Sequence, residues 1–169
     1  MHLIIDGYNL LLVGRSQIRL NSIGLLAERD RLVEQLARYR QAKPCEITVV
    51  FDGWHGGSSE EKKERKKGIE LIFSKLGEKA DEVIKRLIKG RGSGATVITS
   101  DREILNYANR LAAAVIPSDQ FRKKMEVRPG RMENGIEEDE EGDRGMKRKG
   151  PSRRLSKKER RMQTALKKL

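Results

Sequence analysis

The stretch MHLIIDGYNLLLV (residues 1–13) decides how the rest of the chain is read. Leu3, Ile4 and Ile5 form a short apolar run that suits a buried strand, yet the run stops on Asp6, followed by Gly7, Tyr8 and Asn9. A carboxylate at the end of a core strand is either a helix cap or a ligand for something, and no clear helix follows for Asp6 to cap. The same pattern recurs downstream. ITVVF (47–51) is a β-branched and aromatic run that ends at Asp52, and ATVITS (95–100) ends at Asp101.

The intervening segments carry helical periods. In SIGLLAERDRLVEQLARYRQAKP (22–44), Leu25, Leu26, Leu32, Val33, Leu36 and Ala37 recur on one face, and Pro44 lies beyond the end. ADEVIKRLIK (80–89) repeats the pattern with Val83, Ile84, Leu87 and Ile88, and REILNYANRLA (102–112) is a third helix. IELIF (69–73) and AAVIP (113–117) read as further strands, and GRGSG (90–94) as a turn. Strands alternating with helices imply a parallel sheet covered on both faces. The expected fold is a three-layer α/β/α domain over residues 1–125, followed by a charged tail over 126–169.

Composition supports that division. Charged residues make up 37% and hydrophobic residues 36% of the 169, lean for a chain that packs throughout. From Arg144 to Leu169 there are 12 Lys and Arg against the single acid Glu159, leaving 25 basic and 24 acidic residues in positions 1–143. Residues 127–154 combine Gly, Pro and charge blocks, including the acidic run 137–143, without an apolar period, and read as disordered. The final SKKERRMQTALKKL (156–169) places Met162, Leu166 and Leu169 at helical spacing, with Ser156 and Glu159 in capping-box register. A short helix, or one that forms on binding, is expected there. The one cysteine, Cys45, excludes an internal disulfide or a thiolate cluster, and His2 and His55 alone do not make a histidine-rich zinc site. No apolar run reaches the roughly 20 residues of a membrane span, and no basic leader precedes the first one, so a cytoplasmic protein is expected.

Asp6, Asp52 and Asp101 all fall just past the carboxyl ends of strands, which share one edge in a parallel sheet. Asp81, after the Gly77 turn, can reach the same edge. Converging carboxylates repel unless a cation neutralises them, and oxygen ligands without His or Cys favour Mg²⁺ or Mn²⁺. Such a site suits phosphoryl chemistry. Each acid also has a structural reading: Ser100 and Glu103 form a capping box with Asp101 in the first turn, Asp81 is a candidate N-cap, and Asp52 can start a turn. Beside them, Trp54 and His55 can stack on a base or pack at the domain surface. Lys62, Lys63, Arg65, Lys66 and Lys67 can contact phosphates or form a solvated face, and Arg102 lies where it can reach a phosphate.

Four segments, DGYNLL (6–11), VVFDGW (49–54), GIELIFSKLGEKADEVIKRL (68–87) and VITSDREI (97–104), resemble the YacP-like NYN family, a branch of the PIN-like nuclease superfamily. The resemblance spans residues 1–125 and implies a PIN-like fold with an acidic, metal-binding cleft and endoribonuclease activity, in some relatives on mRNA in association with ribosomes. Carried over by position, Asp6 and Asn9 match the first motif, Asp52 the second, Asp81 the ADE segment and Asp101 the TSD segment. Asp6, Asp81 and Asp101 are then the expected ligands of Mg²⁺ or Mn²⁺. Asp52 would complete the acidic set, and Asn9 would orient a ligand or the scissile phosphate. The alternative from another class is a non-catalytic RNA- or ribosome-binding protein that uses the basic tail and keeps its acids for structure.

Overall fold

A computed structural model of the chain describes residues 1–13, 22–53, 59–126 and 156–169. Strand β1 (His2–Asp6) lies at the centre of a six-stranded sheet, flanked by β2 (Glu46–Phe51) and β5 (Ala95–Ile98), both parallel to it. Beyond β2 lies β4 (Ile69–Phe73), beyond β5 lies β6 (Ala114–Ile116), and β3 (Lys62–Lys66) closes one edge antiparallel to β4. The order is β3-β4-β2-β1-β5-β6.

Alternation along the strands sorts side chains to two faces. Leu3 and Ile5 of β1 and Ile47, Val49 and Phe51 of β2 join one core with α1 (Gly7–Leu12), α2 (Ser22–Ala42), α5 (Ser118–Glu126) and α6 (Lys157–Lys168). Ile4, Val50, Ile72 and Val97 point the other way, into a second core closed by α3 (Ala80–Arg91) and α4 (Arg102–Arg110). The expected three-layer α/β/α fold is therefore present. From β1 the chain moves outward to β2 and β4, then returns to β5 and β6 on the opposite side. The order thus reverses between β1 and β5, and the carboxyl ends of those two strands flank a crevice of the kind that holds ligands.

Several elements differ from the sequence-based expectation. Gly7–Leu12 is a one-and-a-half-turn helix, so Asp6 does have a helix to cap. The charged run at 62–66 is a strand, and all five residues are exposed. A lysine-rich edge strand resists pairing with other chains, which explains why it carries no apolar signal. The tail boundary shifts for the final residues. Residues 127–155, including the acidic run 137–143, lie outside the described residues, but 156–169 return to the domain as α6, which packs beside β6.

The capping box at Ser156 and Glu159 forms as its register suggests, with Glu159 N donating to Ser156 Oγ at 3.2 Å and Ser156 N to Glu159 Oε2 at 2.7 Å. Ala165 and Leu169 are buried in the first core, Met162 and Leu166 are half-buried, and Tyr39 Oη donates to the Leu169 carbonyl at 3.2 Å. Spacings of three and four residues place these side chains on one stripe, and Lys157, Lys158, Arg160, Lys167 and Lys168 are exposed. No helix among the described residues is long and apolar enough to cross a membrane.

Burial of the α6 stripe contributes on the order of 3 kcal/mol. Ala165→Glu places a charge against the core and should lower unfolding stability by about 2–4 kcal/mol in chemical denaturation. An unchanged midpoint would show that α6 does not dock.

Candidate active site at the carboxyl edge of the sheet

The turn out of β1 is made possible by Gly7. A Cβ there would lie 2.4–2.5 Å from the Phe51 ring and 2.9 Å from the Val50 carbonyl oxygen, so only glycine lets the start of α1 press against the end of β2. Asp6 is thereby held as the N-cap of α1, its Oδ1 accepting from Asn9 N at 3.1 Å. Its other oxygen, Oδ2, accepts from the Thr99 hydroxyl at 3.1 Å, and Thr99 Oγ1 in turn accepts from Asp101 N at 3.0 Å. Asp101 then caps α4, Oδ1 accepting from Glu103 N at 2.7 Å and Ile104 N at 3.1 Å. One chain of hydrogen bonds thus runs from the end of β1 to the start of α4.

A second chain fixes Asn9. Its Oδ1 accepts from Ser100 N at 2.9 Å and from Ser118 Oγ at 2.7 Å. Because a backbone N–H can only donate, the amide orientation is determined, and Nδ2 takes part in neither bond. Ser118 N donates to Ser100 Oγ at 3.1 Å, tying the start of α5 to the end of β5. Ser118 is fully buried. Sequence reading missed it, although Pro117–Ser118–Asp119 is a recognisable helix start.

These contacts correct two capping assignments. Ser100 does not cap α4; the extended backbone at Asp101 (φ −69°, ψ 127°) starts the helix one residue later, and the Ser100 hydroxyl serves Ser118 instead. Asp81 is not an N-cap either: Lys79 holds that position, and Asp81 lies in the first turn of α3.

Asp6, Asp81 and Asp101 share one electrostatic field. Burial pushes the Asp6 carboxyl up to about 6, with Asp81 and then Asp101 adding to the shift against the two hydrogen bonds that oppose it. Asp81 is raised by burial, by Asp101 and by Glu103, and Lys85 and Lys79 partly offset this. Lys85 itself bridges α3 and α4 through Glu82 at 2.9 Å and through Glu103. Asp52 stands apart at the β4 side, its Oδ1 accepting from Ser74 Oγ at 3.3 Å, beside Gly53 N, which donates to the same hydroxyl at 3.0 Å.

The Asp6, Asp81 and Asp101 carboxylates and the Thr99 and Ser100 hydroxyls offer oxygen donors along this edge, a set that fits Mg²⁺ or Mn²⁺. The raised carboxyls mark an unrelieved negative field that a cation would relieve. Among the described residues, however, no three His, Cys, Asp or Glu side chains are gathered as a ready ligating group. The acids share a field and do not form a preformed cage.

Of the proposed substrate-binding residues, Arg102 is exposed at the start of α4. Lys62, Lys63, Lys66 and Lys67 pair respectively with Glu64 at 2.5 Å, Glu61 at 3.3 Å, Asp30 at 2.7 Å and Glu34, so much of that charge is already matched. Arg65 is exposed on the same strand. Trp54 and His55 lie outside the described residues.

A parallel sheet whose central carboxyl edge carries three mutually repelling acids is the arrangement of a nuclease-type α/β domain. The sequence confirms the class more narrowly: the YacP-like NYN domain pattern matches residues 3–168, and the chain belongs to that family. It is 34% identical over 102 residues to the uncharacterised protein YacP of Bacillus subtilis strain 168, a match spanning 59% of each chain. The crystal structure of Rae1 (YacP) from Bacillus subtilis superposes with a TM-score of 0.59 at 27% identity, covering 75% of this chain and 74% of that one. A crystal structure of a point mutant of the same Bacillus subtilis protein gives a TM-score of 0.59 at 24% identity, with 74% of each chain covered. The match through residue 168 includes α6, in agreement with its docking.

The raised Asp6 carboxyl makes a signed prediction for metal-free protein. Its folded value, about 6, exceeds the unfolded value, so its contribution is intact below about pH 4 and is lost as pH rises through 6. Asp6→Asn should therefore stabilise the protein at pH 7 in chelator, by at most about 3 kcal/mol and less after the loss of the Thr99 acceptor. The gain should vanish near pH 4. Denaturation at the two pH values checks it; equal effects at both would show that the carboxylate is not strained.

Proposed function

We propose that the protein is a divalent-metal-dependent endoribonuclease acting at the β1–β5 crevice. The observation that supports this reading is the Asp6 carboxylate held at the carboxyl edge by Thr99 and Asn9 and raised by burial, with Asp81 and Asp101 adding to the shift, within a family of nuclease-type domains. In this reading Asp6, Asp81 and Asp101 hold Mg²⁺ or Mn²⁺. When bound, the ion supplies positive charge for the scissile phosphate and lowers the pKa of a water.

The protein's own groups do the positioning. The Thr99 hydroxyl fixes the plane of the Asp6 carboxylate while its oxygen holds the Asp101 amide, so the two acids are oriented together. Asn9, clamped through Oδ1 by Ser100 and Ser118, keeps Nδ2 for an anionic oxygen of the substrate. Arg102, exposed beside Asp101, supplies charge for a neighbouring phosphate, and Asp52 acts at the periphery through Ser74. The outward lysines and arginines of α6 add sequence-independent affinity for RNA, which makes binding fall steeply with salt. Messenger RNA is the substrate class we assign, with the ribosome as a partner and the cytoplasm as the location.

One observation favours a second reading. Asp6 and Asp101 both cap helices, and no three acids form a ligating group among the described residues. A non-catalytic RNA-binding domain would use the same acids as structural caps.

Cleavage of end-labelled single-stranded RNA in Mn²⁺ separates the two. Asp101→Asn, which keeps an oxygen for the α4 cap, should lose more than about 100-fold in rate while thermal unfolding stays cooperative. Parent-like turnover in that variant, or no cleavage by the parent, would remove the nuclease reading.

A further inference from the structure

On the α2 face, Arg29 is half-buried and its guanidinium carbon lies 5.1, 5.3 and 5.5 Å from the ring centroids of Tyr8, Phe51 and Phe73. Those rings hold one another, Tyr8 edge-on to Phe51 at 5.3 Å and Phe73 stacked on Phe51 at 5.6 Å. No carboxylate pairs with the guanidinium among the described contacts, and both Arg29 Nε and Tyr8 Oη are buried without a hydrogen-bond partner. Burial depresses the Arg29 pKa, as expected for a cation removed from water with no counter-charge. A buried N–H left unpaired costs on the order of a hydrogen bond, so the position calls for an acceptor.

The acceptor has room to arrive. Arg29 lines a cavity of about 260 Å³ walled by Leu26, Val33, Phe51, Leu71 and Phe73. Leu26, at its rim, is 57% exposed and offers aliphatic surface to an occupant. The cavity's lysines are already committed, Lys66 to Asp30 and Lys62 to Glu64. A bare phosphate would therefore meet lysines already neutralised, together with the Asp30 and Glu64 carboxylates, whereas a flat group with an acceptor edge meets rings, aliphatic carbon and the Arg29 guanidinium. Along the chain the cavity adjoins Asp52, since Phe51 and Gly53, which line it, flank that residue.

We infer that this cavity is a subsite for one unstacked nucleobase of the RNA, seated against Arg29 and Phe73 at a fixed distance along the strand from the scissile bond. The inference rests on the nuclease reading above and adds to it how the strand is held in register. Stacking on a planar guanidinium and an aromatic ring accepts any base, so the subsite sets register more than sequence.

The test walks a single abasic position through short single-stranded RNAs and measures single-turnover cleavage in Mn²⁺ by the full chain. For the parent, one position at a constant offset from the cut should lower the rate by about 10-fold or more. In Arg29→Gln, and in Leu26→Asp, whose exposed site leaves the fold intact, that dip should disappear. If the parent cuts with no position-dependent dip, or the dip persists in both variants, the subsite is overturned and the nuclease reading stands. A uniform loss in Arg29→Gln for every RNA would show that Arg29 holds a phosphate, and would also overturn it. If the parent neither cuts nor binds any of the RNAs, the nuclease reading fails and the subsite with it.

Discussion

The bond from the Thr99 hydroxyl to Asp6 Oδ2 is the constraint on which the site depends. It joins the ends of β1 and β5 where the strand order reverses, and it holds a carboxylate that is 9% exposed in a position where burial disfavours its charge. Asp101 is oriented through the same hydroxyl, and Asp81 reaches the field from the first turn of α3. A structure serving stability alone would gain by replacing Asp6 with a neutral cap. Asp81 and Asp101 add to the effect of burial on Asp6, so this edge concentrates negative charge that, in the proposed reading, a cation neutralises.

Around that constraint the fold supplies rigid supports. Gly7 lets α1 begin where β1 ends, against Phe51. Ser118, buried at the start of α5, anchors Asn9 and Ser100 together, so a residue remote in sequence fixes the amide that faces the crevice. Helix α6 covers the β6 end of the first core, which makes the last residues part of the domain and presents its cations outward. The charge that composition assigns to the C-terminal end is thus partly mounted on a docked helix.

Much of this was legible in the sequence. β1, β2 and β5 were readable because each is a short apolar run ended by an aspartate, and α2, α3 and α4 because their apolar faces repeat at helical spacing. What escaped reading lacked those signals. α1 is six residues long and mostly apolar, so it has no polar face to set a period. β3 has no buried side chain and hence no alternation. In α5 only Phe121 and Met125 carry the apolar face, within nine residues. The repetition of aspartates at strand ends pointed to this edge, and Asp81 was added from the Gly77 turn, but the caps were not legible, because Asp and Ser compete for the same role and the backbone at Asp101 decides between them. Arg29 gave no signal, since a guanidinium over three rings is a product of tertiary packing alone.

The most direct test of the central claim is calorimetric titration of Mn²⁺ into the protein at pH 7 and pH 5. The account predicts a binding event at pH 7 that requires Asp6, Asp81 and Asp101, and that weakens at pH 5, where Asp6, with its value near 6, is mostly protonated and must release its proton to the buffer. No heat of binding at pH 7, or binding that is unaltered in Asp6→Asn, would contradict it.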